Sequence, residues 1–237
     1  MAAINDNLQA VAARIREAAR ANGRDPTMVR LLAVTKTVPP AAIQEAFGAG
    51  QDSFGENYVQ EALEKQSELA AAGFDGRIEW HLIGPLQSNK TRAAANCFDW
   101  VHTVDREKVA RRLSEARPAD APPLNVLMQV NVSGEATKSG VPPAEVASLA
   151  RAVVALPRLR LRGLMAIPEA TLDEQAQHLQ WRAVRELFDA LNGQGLQLDT
   201  LSMGMSQDLE AAVAEGSTMV RIGTAIFGAR TRAKAVA

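Results

Sequence analysis

Short apolar runs alternate with amphipathic helical stretches along almost all of this 237-residue chain. Counting the runs by period and flanking turn residues gives eight strand candidates. They are "LLAVT", "DSFG", "IEWHLIG", "DWVHTV", "LNVLMQVNV", "LRLRGLMAI", "TLSMG" and "TMVRIG". The stretches between them carry apolar residues at helical spacing. After Lys36 comes "PPAAIQEAFGAG", where proline suits a first helical turn and Gly50 its end. "YVQEALEKQSELAAAG" places Val59, Leu63 and Leu69 or Ala70 on one face and closes at Gly73. "REKVARRLSEA", "PAEVASLARAVVAL", "EQAQHLQWRAVRELFDALNG" and "SQDLEAAVAEG" repeat the pattern, and "QSNKTRAAAN" is a shorter, weaker version. Ahead of the first strand, Ile4, Leu8, Val11 and Ile15 predict an amphipathic helix over residues 5–22, closed by Gly23.

Strand–helix alternation of this kind argues for parallel strands joined by crossovers. Eight repeats in this length match a (βα)8 barrel, for which about 250 residues is typical. An open doubly wound sheet usually shows a phosphate loop near its first strand, and no G-x-G-x-x-G follows any strand here. With no linker, low-complexity tract or composition break, residues 1–237 are expected to form one α/β domain. That domain is a single (βα)8 TIM barrel with an extra N-terminal helix serving as a lid or brace and no second β-domain.

The rest of the composition narrows the partners. A formal net charge of −1 argues against nucleic acid or an anionic membrane surface. No stretch approaches the roughly 18 consecutive apolar residues of a membrane span. The first twenty residues mix polar and apolar and include Arg14, Arg16 and Arg20, so they do not read as a signal peptide. The single cysteine, Cys97, rules out an internal disulfide and suits a reducing compartment. A cytoplasmic protein is expected.

In such a barrel the chemistry gathers where strands end and βα loops begin. Lys36 follows the first strand, "LLAVT", in a chain with six lysines and twenty arginines. A lysine at a barrel mouth can lose its charge and attack carbonyls. The competing reading is a snorkelling lysine, or one paired with a neighbour such as Glu56. In "TMVRIGTAIFG", Arg221 ends the last strand while Gly223 and Thr224 turn into a helix. Backbone N–H groups there offer a ready phosphate cradle; the competing reading is a close-packing glycine and a structural arginine, and G-x-x-x-x-G alone is a weak signal. In "SMGMSQDLEAAVAEG", Ser206 is placed as a helix N-cap that can also donate to a phosphate, with Asp208 and Glu210 in the first turn. "GMSQD" lacks the second glycine of G-x-S-x-G, which excludes a serine hydrolase of that kind. His81, His102 and His178 have no metal-ligand spacing, so no metal is expected. His178 falls within a helix, and His81 either lines the pocket or is a satisfied core residue.

A strand-end amine on the first strand and a phosphate cradle on the last two suit the aldehyde and the phosphate of pyridoxal 5'-phosphate. Schiff-base aldolases also use a strand-end lysine; Arg221, two residues before Gly223, favours the cofactor. "AVTK" with "VRIGTAIFGAR" resembles the fold-type III barrels of the alanine racemase class. More closely, "FGENYVQEALEK", "WHLIGPLQSNK", "MQVNVSGEATKSG", "LRGLMAIP" and "SMGMSQDLEAAVAEGSTMVRIGTAIFGAR" resemble the pyridoxal phosphate homeostasis protein family, in order, over about residues 30–230.

That resemblance implies a single-domain barrel that binds the cofactor, with no established catalysis. It implies that Lys36 holds the cofactor as a Schiff base, that Arg221 faces the pyridine nitrogen, and that Ser206, Gly223 and Thr224 bind the phosphate. Asn57 in "GENY" and His81 in "WHLIG" match positions beside the ring. Racemases of this class take a second base, a tyrosine, from an additional β-domain at a dimer interface. Here the one tyrosine is Tyr58 and the chain ends soon after Arg230, so a monomer without a proton-transfer pair is expected. The expected role is cofactor homeostasis or carriage affecting amino-acid and keto-acid metabolism, with no catalytic residues and with cofactor-dependent apo-enzymes as recipients. The rival is a small fold-type III amino-acid racemase; a barrel that docks on such enzymes is a third reading. Lys138, in "NVSGEATKSGVPP", is either a solvated loop lysine or a second amine that accepts the aldehyde during loading or release.

Overall fold

The structure is a computed structural model and describes residues 2–133 and 139–228. It opens with helix α1 (Ala2–Ala21), whose Leu8, Val11 and Ile15 are buried in one stripe. Gly23, at a φ of 65°, takes the left-handed turn that ends it. Burying each of those side chains contributes about 1.5–3 kcal/mol relative to leaving it in water. Asn7 donates to the Ile226 carbonyl and Arg14 pairs with Glu210, so α1 is a brace across the closing elements.

Strands and helices then alternate: β1 (Arg30–Val34), α2 (Pro40–Gly48), β2 (Ser53–Glu56), α3 (Val59–Leu69), β3 (Glu79–Leu82), α4 (Thr91–Cys97), β4 (Trp100–Val104) and α5 (Glu107–Ala116). They continue as β5 (Leu124–Val130), α6 (Val146–Val154), β6 (Leu159–Ala166), α7 (Glu174–Gly193), β7 (Thr200–Ser202), α8 (Leu209–Ala214), β8 (Met219–Ile222) and α9 (Thr224–Phe227). All eight strands fall on the eight apolar runs of the sequence. Each pairs in parallel with the next, and β8 pairs with β1, closing the barrel. The (βα)8 expectation is met.

Strand alternation divides the apolar residues into two sets. Ala33, Phe54, Leu82, Val101, Val126, Leu164 and Val220 join the main core beneath the helices. The inward face follows the register Val34–Gly55–His81–Trp100–Asn125. Leu32, Val34, Ile83 and Met219 form one cluster on that side; Trp100, Leu127 and Met165 form another. Between the two lies polar matter: His81, His102 and Ser202 are fully buried and Arg221 is 4% exposed. Among the described residues no helix is long and apolar enough to cross a membrane.

Candidate functional site

At the C-terminal ends of the strands lies a cavity of about 380 Å³, within the usual range for small-molecule sites. Lys36, Asn57, Ser206, Arg221, Gly223 and Thr224 line it. Six of the seven residues singled out in the sequence therefore share one cavity. Val34, Ile83, Ile167, Pro168 and Met205 supply its apolar wall.

Lys36 sits two residues past the end of β1, half-buried, in a turn closed by the Val38 N–H on the Thr35 carbonyl at 2.9 Å. Thr37 takes a φ of 62°, which a β-branched residue adopts only when its surroundings hold it there. They do so through Glu61, whose Oε1 accepts the Thr37 N–H at 2.5 Å. Glu61 is in turn bridged to Lys65, which donates at 2.7 Å to Glu61, 2.8 Å to Glu56 and 2.6 Å to the Thr35 carbonyl. The Thr35 hydroxyl donates to the same Glu56 oxygen at 2.6 Å. Burial pushes the Glu56 carboxyl up, and its contacts with Lys65 and Thr35 oppose that. Glu56 is thus engaged from α3 by Lys65. Lys65 on the amphipathic α3 escaped the sequence reading; the Glu61–Lys65 spacing of four was the available signal.

Asn57 is brought to the rim by a close approach that only glycine permits. A Cβ on Gly84 would lie 2.1 Å from the Asn57 carbonyl oxygen. On the far wall, Arg221 donates through Nη1 to the Ser202 carbonyl at 2.5 Å and hydroxyl at 2.7 Å, and through Nη2 to the Ala166 carbonyl at 2.8 Å. Burial brings the guanidinium down to about 10, so it stays a cation at neutral pH. Gly223 precedes α9, whose first N–H groups have no acceptor within the helix.

Ser206 lines the cavity but is not the helix cap expected of it. Helix α8 starts at Leu209 with Asp208 in the cap position. The Asp208 carboxylate instead accepts the Met205 N–H at 2.6 Å, which holds residues 205–208 as a turn and delays the helix. The Ser206 carbonyl accepts from Arg14, so α1 braces this wall.

His81 is the exception among the seven. Inward-facing Ile83 reaches the cavity, and His81 lies two residues deeper along the chain, about 6–7 Å down the barrel. It is fully buried, with Nε2 2.6 Å from Glu79 and Nδ1 2.9 Å from His102, so it is a satisfied interior residue and does not line the pocket. His178 lies on α7 with Nδ1 2.9 Å from Glu215. No group of three or more His, Cys, Asp or Glu among the described residues could hold a metal ion. Lys138 lies outside the described residues. The loop after β6 brings Ile167 and Pro168, the end of the "LRGLMAIP" motif, to the cavity together with Glu169, Ala170 and Thr171, which no sequence signal marks.

Chemically, one wall offers a primary amine and the other a fixed cation beside hydroxyl and backbone donors. That donor set fits a small molecule with a carbonyl at one end, a phosphate at the other and a ring acceptor between, as pyridoxal phosphate has. Comparison with known proteins agrees. The alanine racemase N-terminal domain family matches residues 7–231. The pyridoxal phosphate homeostasis protein of Pseudomonas aeruginosa is 63% identical, over 97% of this chain and 97% of that one. That of Escherichia coli K12 is 54% identical, over 98% of each. The structure of PipY from Synechococcus elongatus, with PLP bound, superposes with a TM-score of 0.82 at 37% identity. The match covers 95% of this chain and all of that one. A whole-length match at this identity, on a barrel of this shape, means that the chain belongs to the pyridoxal phosphate homeostasis protein family.

Proposed function

We propose that this protein binds pyridoxal 5'-phosphate in the barrel-mouth cavity and serves as a carrier that delivers it to cofactor-dependent apo-enzymes, with no turnover of its own. The observation that carries the reading is that Lys36 and Arg221 line one cavity of about 380 Å³ together with Ser206, Gly223 and Thr224. Bound there, the cofactor supplies an aldehyde that a primary amine captures reversibly as a Schiff base, with loss of water. Lys36 provides the amine, and the turn held by Glu61 and Lys65 presents it. Ser206 and the backbone at Gly223 and Thr224 hold the phosphate, and Asn57 borders the ring.

Arg221 explains why holding need not mean turnover. A guanidinium donates a hydrogen bond to the ring nitrogen but does not hand over its proton. The ring is then a weak sink for electrons, and catalysis would rest on a well-placed proton-transfer pair. The one tyrosine, Tyr58, is 60% exposed and is not among the cavity-lining residues. The names of the relatives, homeostasis proteins, accord with this reading.

The test is to load the purified chain with pyridoxal phosphate, remove the excess, and add an apo-aminotransferase. The expected result is colour on the loaded chain that passes to the apo-enzyme and restores its activity. Amino acids in deuterated water should show no exchange at Cα. Exchange dependent on Lys36 would replace the carrier reading with a racemase.

A further inference from the structure

A continuous line of polar side chains runs through the barrel interior, from the cavity wall to the opposite end of the strands. Arg221 Nη1 lies 2.7 Å from Ser202 Oγ, and Ser202 Oγ lies 3.1 Å from His102 Nδ1. His102 Nε2 is 2.9 Å from His81 Nδ1, and His81 Nε2 is 2.6 Å from Glu79 Oε1. At the far end Arg30 Nη2 donates to the same Glu79 oxygen at 2.7 Å. Ser202, His102 and His81 are each completely buried, so water cannot replace a missing link.

The two ends fix the direction of every bond between them. A guanidinium only donates and a carboxylate only accepts. Arg221 therefore donates to Ser202 Oγ, and Glu79 must receive the proton on His81 Nε2. With both imidazoles neutral, His81 Nδ1 is then an acceptor and takes the Nε2–H of His102. His102 Nδ1 is left as an acceptor, and the Ser202 hydroxyl proton satisfies it. The reverse arrangement puts two acceptors face to face at Glu79 unless His81 carries a second proton, which its burial opposes. Only one set of tautomers satisfies all four links.

We propose that Glu79 is a positioning residue for Arg221: through His81, His102 and Ser202 it fixes the orientation of the Ser202 hydroxyl and thereby the geometry of the guanidinium on the cavity wall. The chain makes the donor that meets the occupant's ring nitrogen depend on a carboxylate at the other end of the barrel. There the Glu79 side chain is 34% exposed and clamped by Arg30. The proposal rests on the cofactor reading above for its consequence in binding, but the hydrogen-bond chain itself can be read in the protein alone.

The experiment is nitrogen-15 NMR of the full chain without cofactor, observing the imidazole and arginine side-chain signals, followed by pyridoxal phosphate titration. With three histidines in the chain, His178→Gln identifies the remaining two. Both should be neutral Nε2–H tautomers at pH 7, with Arg221 N–H signals sharp and slow to exchange. Glu79→Leu removes the terminal acceptor and should scramble both tautomers and broaden the Arg221 signals. Glu79→Gln, whose amide oxygen still accepts, should restore the pattern. Ser202→Ala removes the last link and sets the size of the effect, and Glu79→Asp, which withdraws the carboxylate by one methylene, decides the matter if Glu79→Leu does not fold. Loss of one such link should weaken pyridoxal phosphate binding about fivefold to tenfold in either variant. An Nδ1–H tautomer at either histidine in the wild type, or tautomers and Arg221 signals untouched by Glu79→Leu, or by Glu79→Asp where the leucine variant does not fold, overturns the proposal. A wild type with the expected tautomers that does not bind pyridoxal phosphate sinks the cofactor reading and leaves the chain standing.

Discussion

Lys65 donates a 2.6 Å hydrogen bond to the carbonyl oxygen of Thr35, the residue immediately before Lys36. The same ammonium holds Glu56, which is fully buried, and Glu61, which holds the backbone of Thr37. Lys36, the amine proposed to capture the aldehyde, is thus flanked on both sides by residues tied to one buried cation. Replacing a buried partner leaves an uncompensated charge, at a cost of about 3–5 kcal/mol. Lys65→Met should lower unfolding free energy by that amount in urea titration. Adding Glu56→Gln should recover much of the loss, because the stranded carboxylate is then gone. Additive losses in the double variant would contradict this account.

The turn at Thr37 stores strain. Left-handed backbone costs a non-glycine residue about 1–2 kcal/mol, and glycine in a fixed conformation costs about 0.5–1 kcal/mol of chain entropy. Thr37→Gly should therefore stabilise the fold by about 0.5–1 kcal/mol in denaturant while weakening cofactor capture, since Lys36 is then less rigidly presented. A stabilised variant with unchanged affinity would show that the strained turn has no part in binding.

Gly84→Ala tests the seat of Asn57. A methyl group 2.1 Å from the Asn57 carbonyl oxygen cannot be accommodated without moving that loop. The variant should lose about 1–3 kcal/mol of stability, as overpacking does. Its affinity for pyridoxal phosphate should fall with it. Thermal unfolding and visible titration read the two effects separately.

The interior histidines set a pH dependence. Burial lowers the pKa of His81, against the pull of Glu79, and lowers that of His102 well below the usual imidazole value, with His81 and Arg221 adding to the effect. Below the unfolded value of about 6.5 the unfolded chain binds more protons than the folded one, so stability falls as pH falls. Each histidine contributes a slope of up to about 1.4 kcal/mol per pH unit. Glu56, Asp99 and Asp208 are raised, chiefly by burial, and act in the opposite sense between the ordinary carboxylate range and their raised values. The histidine part is isolated by comparing the wild type with a variant that lacks one of the pair. Denaturant midpoints between pH 7.5 and 5.5 should decline, and His102→Asn should flatten the decline. A flat wild-type profile would mean that the pair is not neutral in the folded protein.

The barrel is legible in the sequence because its signal is local. Each strand is a short apolar run, each helix a stripe at 3–4 spacing, and "LLAVT" to "TMVRIG" can be counted off in order. The cavity residues are legible for a related reason: Lys36, Ser206, Arg221, Gly223 and Thr224 stand at strand ends or just beyond them. What the sequence hides is pairing at a distance. His102 meets Ser202 across a hundred positions, and nothing in either neighbourhood signals the other. Lys65 reads as one more polar residue of an amphipathic helix, and only the fold turns it under Thr35. Ser206 has the side chain of a cap, but Asp208, two residues on, takes the cap position and binds the Met205 N–H with its carboxylate.

The most direct test of the central claim is borohydride reduction of the chain loaded with pyridoxal phosphate, followed by peptide mass spectrometry. Reduction makes the amine–aldehyde linkage permanent and leaves the cofactor on the residue that held it. The account predicts one labelled peptide, carrying the cofactor on Lys36, with label and colour both lost in Lys36→Ala. A chain that takes up no cofactor, or carries the label elsewhere with Lys36 unmodified, would contradict it.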